Sequence, residues 1–113
     1  MARTRWHILR DGTGLTLCRH LPPRFDFAAN TVLPHGRALR LAHQIRQDLW
    51  RALQRVRGFS PVVRLEPDVG GWRVTAGGRV AGSVPAAVVA QADALLNDPS
   101  YRQRWLKHAG ATR

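Results

Sequence analysis

The chain has 113 residues, 44% of them hydrophobic, with four Trp, three Phe and one Tyr. Eighteen basic residues against seven acidic ones leave a net charge of +11. These values exclude a disordered chain, a multidomain enzyme and a disulfide-stapled miniprotein, and they leave the function open.

Seventeen of the eighteen cations are Arg, a bias that a GC-rich genome produces by itself. The shortage of acids carries more information. Seven carboxylates cannot neutralise eighteen cations, so the folded surface must hold a positive potential. Such a surface attracts phosphate backbones, anionic lipid heads or acidic proteins. Cys18 is the single cysteine, which excludes an internal disulfide and fits a reducing compartment. The first twelve residues lack the apolar stretch of a secretory signal, and no apolar run approaches a membrane span. A cytoplasmic protein is expected, with residues 1–110 forming one α+β domain and 111–113 a frayed tail.

Residues 5–10 and 15–20 flank Asp11-Gly12-Thr13-Gly14 and read as a β-hairpin turning at Gly12-Thr13. That register sets Arg10 against Leu15, Ile8 against Leu17, His7 against Cys18 and Trp6 against Arg19. Trp6, Ile8, Leu15 and Leu17 then share the core face, and His7, Cys18 and His20 the other. Residues 22–36 read as an irregular connection, either anchored to the core by Phe25 and Phe27, the favoured reading, or containing a short extra strand. Within it, Asp26 is expected to cap the loop or to pair with an Arg.

Residues 37–57 read as a long helix. Ala38, Leu41, Ala42, Ile45, Leu49, Ala52, Leu53 and Val56 recur at three- and four-residue steps, as one buried stripe requires. Residues 62–66 and 72–76 read as a second hairpin. Gly77-Gly78 then reads as a tight turn into a third strand at 79–81. Pro85 opens a second helix, Asn97-Asp98-Pro99 breaks it, and Asp98 caps a last helix reaching about His108. The expected architecture is an antiparallel sheet of about five strands, in the order β-β-α-β-β-β-α-α. It packs on the long helix and a C-terminal helical pair. The order over residues 37–108 is similar to that of double-stranded-RNA-binding domains. The helix at 85 opens on Pro85-Ala86-Ala87, without those domains' Lys-rich start, so no membership follows.

The outward face of the long helix is the first candidate site. Arg40, Gln44, Gln47, Arg51 and Arg55 form one row, flanked by His43, Arg46, Trp50 and Arg57, with Asp48 the sole acid among them. Arginine grips phosphates bidentately, Gln pairs with adenine, and Trp50 offers a stacking surface for an unpaired base. Arg64 and Arg73, on the non-core face of the sheet, extend the footprint if the two faces join. The expected role is a non-enzymatic binding module contacting nucleic acid, RNA or DNA, with no cofactor. The alternative is an adaptor that docks an acidic protein. A minor alternative places a metal or a reactive thiol at His7, Cys18 and His20, the metal site completed by His35 or His43. The scattered carboxylates offer no acid–base pair.

Overall fold

The computed structural model describes residues 5–110, so the tail at 111–113 lies outside the described residues. The elements are β1 (His7–Asp11), β2 (Gly14–Cys18), β3 (Phe27–Pro34) and α1 (Ala38–Leu53). They continue with β4 (Ser60–Asp68), β5 (Gly71–Arg79), α2 (Ala86–Leu96) and α3 (Pro99–His108). The five strands form one sheet in the order β1-β2-β4-β5-β3, with every neighbouring pair antiparallel. The α+β class, the count of five antiparallel strands and the three helices are those the sequence implies, but the expected separate strand at 79–81 is absent among the described residues and β3 takes its place in the count.

Two elements differ from expectation. Residues 27–34 form the eight-residue strand β3 instead of an irregular connection, pairing along its whole length with β5. Its alternating burial follows Phe27, Ala29 and Leu33 inward. Gly77-Gly78 is not a turn. Both residues lie inside β5, where Gly77 faces Ala28 and Val62 across its two neighbouring strands. A Cβ on Gly77 would come within 2.0 Å of the Phe27 carbonyl oxygen, and one on Gly78 within 2.1 Å of that of Ser60. The pair is glycine because a central strand is squeezed between two partners. Residues 37–108 therefore run α-β-β-α-α, which removes the similarity in order to double-stranded-RNA-binding domains.

The first hairpin has the expected register, with Ile8 opposite Leu17 and His7 opposite Cys18. Leu15 and Leu17 enter the core, whereas Ile8 stays exposed because β1 is an edge strand. Register carries the core face from Leu15 and Leu17 to Val63 and Leu65, and on to Val74, Ala76, Ala29 and Leu33. Leu41, Ile45 and Leu49 of α1, Ala92 and Leu96 of α2 and Trp105 of α3 complete the same cluster. All three helices thus cover one face of the sheet. The other face presents Thr16, Arg64, Thr75 and Asn30 in one row.

α1 is shorter than the sequence suggests, ending at Leu53, at about 24 Å for a 1.5 Å rise per residue. Gln54 closes it by donating to the Arg51 carbonyl at 3.2 Å. Asp48 is buried on the inward side of α1, not among the outward charges. It accepts hydrogen bonds from Arg104 and, at 2.7 Å, from the indole nitrogen of the fully buried Trp105. This network ties α3 to α1. Asp98 caps α3 as expected, accepting from the backbone nitrogens of Ser100 and Tyr101. Asp26 does both things its setting suggests. It pairs with Arg24 at 2.9 Å and accepts the Val80 backbone N–H at 2.9 Å, locking the entry to β3 onto the end of β5. Among the described residues, no helix is long and apolar enough to cross a membrane.

Candidate functional site

The arginines separate into those tied into the structure and those left without a carboxylate. Arg24, Arg51, Arg73 and Arg104 lie within 4.0 Å of Asp26, Asp48, Asp68 and Asp48 respectively. Arg102 is a brace. It donates to the Val32 carbonyl at 2.7 Å, to Thr31 Oγ1 at 2.6 Å and to the Leu96 carbonyl at 3.2 Å. Arg64 and Arg73 stand on the sheet face opposite the helices. They do not extend the footprint of α1, because strand alternation turns them away from Val63, Leu65 and Val74.

The expected row on α1 is also divided. Arg40 and Arg51 are exposed, Gln44 and Gln47 are half-buried, and Arg55 and Arg57 lie beyond the last helical residue. Arg46 and Trp50, on the flank facing the first hairpin, join a different group. They line a cleft of about 620 Å³ together with Trp6, Arg19, His20, Phe59, Pro61 and Arg79. The cleft opens where β2 ends and β4 begins, beneath the side of α1.

Its chemistry is one-sided. Three arginines and one histidine are among the residues that line it, and among the described residues no Asp or Glu does. The Arg46 guanidinium lies over the Trp6 ring at 4.5 Å, and that of Arg19 at 5.9 Å from the same ring. These contacts hold the cations in place without neutralising them. Arg46 donates from Nη2 to His43 Nδ1 at 3.0 Å, while its buried Nε has no hydrogen-bond partner among the described residues. Burial pushes the Arg46 pKa down, as expected for a cation without a counter-charge. Arg79 donates to the Pro22 carbonyl at 3.0 Å. Trp50 stacks on Phe59, with ring planes 9° apart and centroids 6.1 Å apart. Phe59 is 7% exposed and Trp50 42%, so the stack has a core-backed ring and a solvent-facing one.

Six of these lining residues lie outside the expected helix-face site: Trp6, Arg19, His20, Phe59, Pro61 and Arg79. They come from four segments, before β1, after β2, at the start of β4 and at the end of β5, which meet because β2 pairs with β1 and β4, and β4 with β5. One signal was present, since the hairpin register already set Trp6 against Arg19.

The His7, Cys18 and His20 face does not form a metal site. Cys18 is fully buried, His20 is exposed, and among the described residues no group of three His, Cys, Asp or Glu side chains could hold a metal ion. His35 and His43 do not complete one either. Burial pushes the Cys18 thiol up, against the opposing influence of Arg79, which disfavours the reactive thiolate.

His43 supplies a pH prediction. Burial first, and then the neighbouring Arg46 charge, hold its pKa below the ordinary value. The unfolded chain protonates His43 near that ordinary value, about 6.5, and the folded chain only at lower pH. Below about pH 6.5 the unfolded state therefore binds more protons, and stability falls as pH drops through this window. Urea midpoints at pH 7.5 and 5.5 should differ more for the parent protein than for His43→Asn. Equal pH dependence in both would contradict the assignment.

No family model, curated protein or solved structure matches the chain.

Proposed function

We propose that the protein is a non-enzymatic binding module for nucleic acid, gripping phosphates with the cleft arginines and the exposed cations of α1. The observation that carries this reading is the trio Arg19, Arg46 and Arg79, which lines one concave site without a carboxylate. A half-buried guanidinium lacking a counter-charge is costly, and an anion entering the cleft relieves that cost. Guanidinium forks match phosphate oxygens bidentately. The acid deficit of the whole chain, seven against eighteen, steers polyanions toward it.

Titration of labelled single- and double-stranded RNA and DNA at low and moderate salt tests the proposal. Each neutralised phosphate releases about one counterion, so affinity should fall steeply with salt. Absent or salt-insensitive binding to all four probes would overturn it. A partner retained from a nuclease-treated lysate, without binding to any probe, would point to the acidic-protein adaptor instead.

A further inference from the structure

We infer that the cleft seats one unpaired nucleotide, its base against the open face of Trp50 and its phosphate among Arg19, Arg46 and Arg79. This inference rests on the nucleic-acid reading above and goes further by naming what the cleft selects.

The argument starts from the rings. Phe59 belongs to the core and backs Trp50 with nearly parallel planes, 9° apart. Such backing fixes the indole orientation. Trp50 nevertheless leaves 42% of its surface to solvent, at the rim of a cavity of about 620 Å³. That size lies inside the range of about 300–1,000 Å³ typical of small-ligand sites. Trp6 is already engaged by the cations of Arg46 and Arg19. Among the described residues no cation lies over Trp50, so it is the free stacking surface of the cleft.

The chemical class of ligand follows from combining both features. An acidic peptide would satisfy the guanidinium groups and leave the indole face unused. A plain aromatic ligand would stack and leave three cations unpaired. A nucleotide supplies a planar ring and an anion a few ångströms apart. Within a duplex the bases already stack on each other and do not reach a concave site, so the cleft favours unpaired nucleotides. Every base has a π-face, and among the described residues no side-chain amide or carboxylate lines the cleft to read base edges. Little sequence preference is therefore expected.

The test measures binding of a fluorescein-labelled ten-nucleotide RNA and of its duplex at one salt concentration. The single strand is expected to bind about tenfold or more tightly than the duplex, the effect of one added base stack. Trp50→Ala should erase most of that preference, and Trp50→Phe should retain much of it. Trp50→Ala removes a ring packed on Phe59, so the unmodified protein supplies a second readout. Adenosine monophosphate should displace the labelled strand and quench tryptophan fluorescence, at concentrations where inorganic phosphate does neither. Equal affinity for strand and duplex, or displacement by phosphate as effective as by the nucleotide, would overturn the unpaired-nucleotide slot and leave nucleic-acid binding standing. No binding of either probe would overturn both.

Discussion

Replacing Asp48 with Ala should lower the unfolding free energy by about 2–4 kcal/mol, enough to shift Tm by roughly 10–20 °C. Asp48 is 6% exposed and serves two donors from α3. Trp105 is fully buried, so its indole N–H has no access to water once the carboxylate is gone. That orphaned donor accounts for most of the loss. The Arg104 side chain is 44% exposed and can turn to solvent, which moderates its share. Asp48→Asn keeps an acceptor for Trp105 and gives up the charge, so it should cost less than half as much. Urea denaturation of the three proteins checks this. A loss below about 0.5 kcal/mol for Asp48→Ala would show that the network between α1 and α3 contributes little.

Gly77→Val should abolish cooperative folding or cost more than about 4 kcal/mol, placing it among the exceptional substitutions. The new Cβ would lie 2.0 Å from the Phe27 carbonyl oxygen and 2.9 Å from the Ala28 Cα. Both are backbone atoms of β3, and no rotamer change relieves the clash. β3 would have to leave β5, and Phe27, Ala29 and Leu33 would leave the core with it. Gly70→Ala is the control. It meets nothing within 4 Å, and only its positive φ of 77° opposes a side chain, at a cost of about 1 kcal/mol. Far-UV circular dichroism melts distinguish the two. If Gly77→Val melted within a few degrees of the parent, residues 77–78 would belong to a loop rather than a central strand.

The same glycines explain where the sequence was legible and where it was not. The first hairpin, the α1 stripe and the Asp98 cap follow from local rules, namely turn chemistry, helical spacing and capping. Each was readable from a single window. Gly77-Gly78 follows the local rule for a turn equally well, yet the strands on either side decide its role. The β3 segment failed for a related reason. Phe27-Ala28-Ala29-Asn30 is a weak strand by composition, and it becomes one only because β5 offers an edge. Asp48 looked like an outward charge because the spacing of α1 does not reveal a donor arriving from α3. The candidate site divides along the same line. Arg46 and Trp50 were visible on the flank of α1, whereas Phe59 and Arg79 join them only through the sheet order. Arg64 and Arg73 have the right chemistry but do not line the cleft.

That Arg64 and Arg73 lie outside the cleft lining provides the most direct test of nucleic-acid binding through the cleft. The measurement is the salt dependence of binding to a ten-nucleotide single-stranded RNA. It compares the parent with Arg19→Ala/Arg46→Ala/Arg79→Ala and with Arg64→Ala/Arg73→Ala, each shown to be folded by circular dichroism. The cleft variant should lose at least tenfold in affinity and flatten the logarithmic salt slope by about two to three, one unit for each phosphate contact removed. The opposite-face variant should stay within about threefold of the parent, with a slope lowered by less than one. Equal losses in the two variants, or a cleft variant with the parent's slope, would contradict the cleft as the binding site.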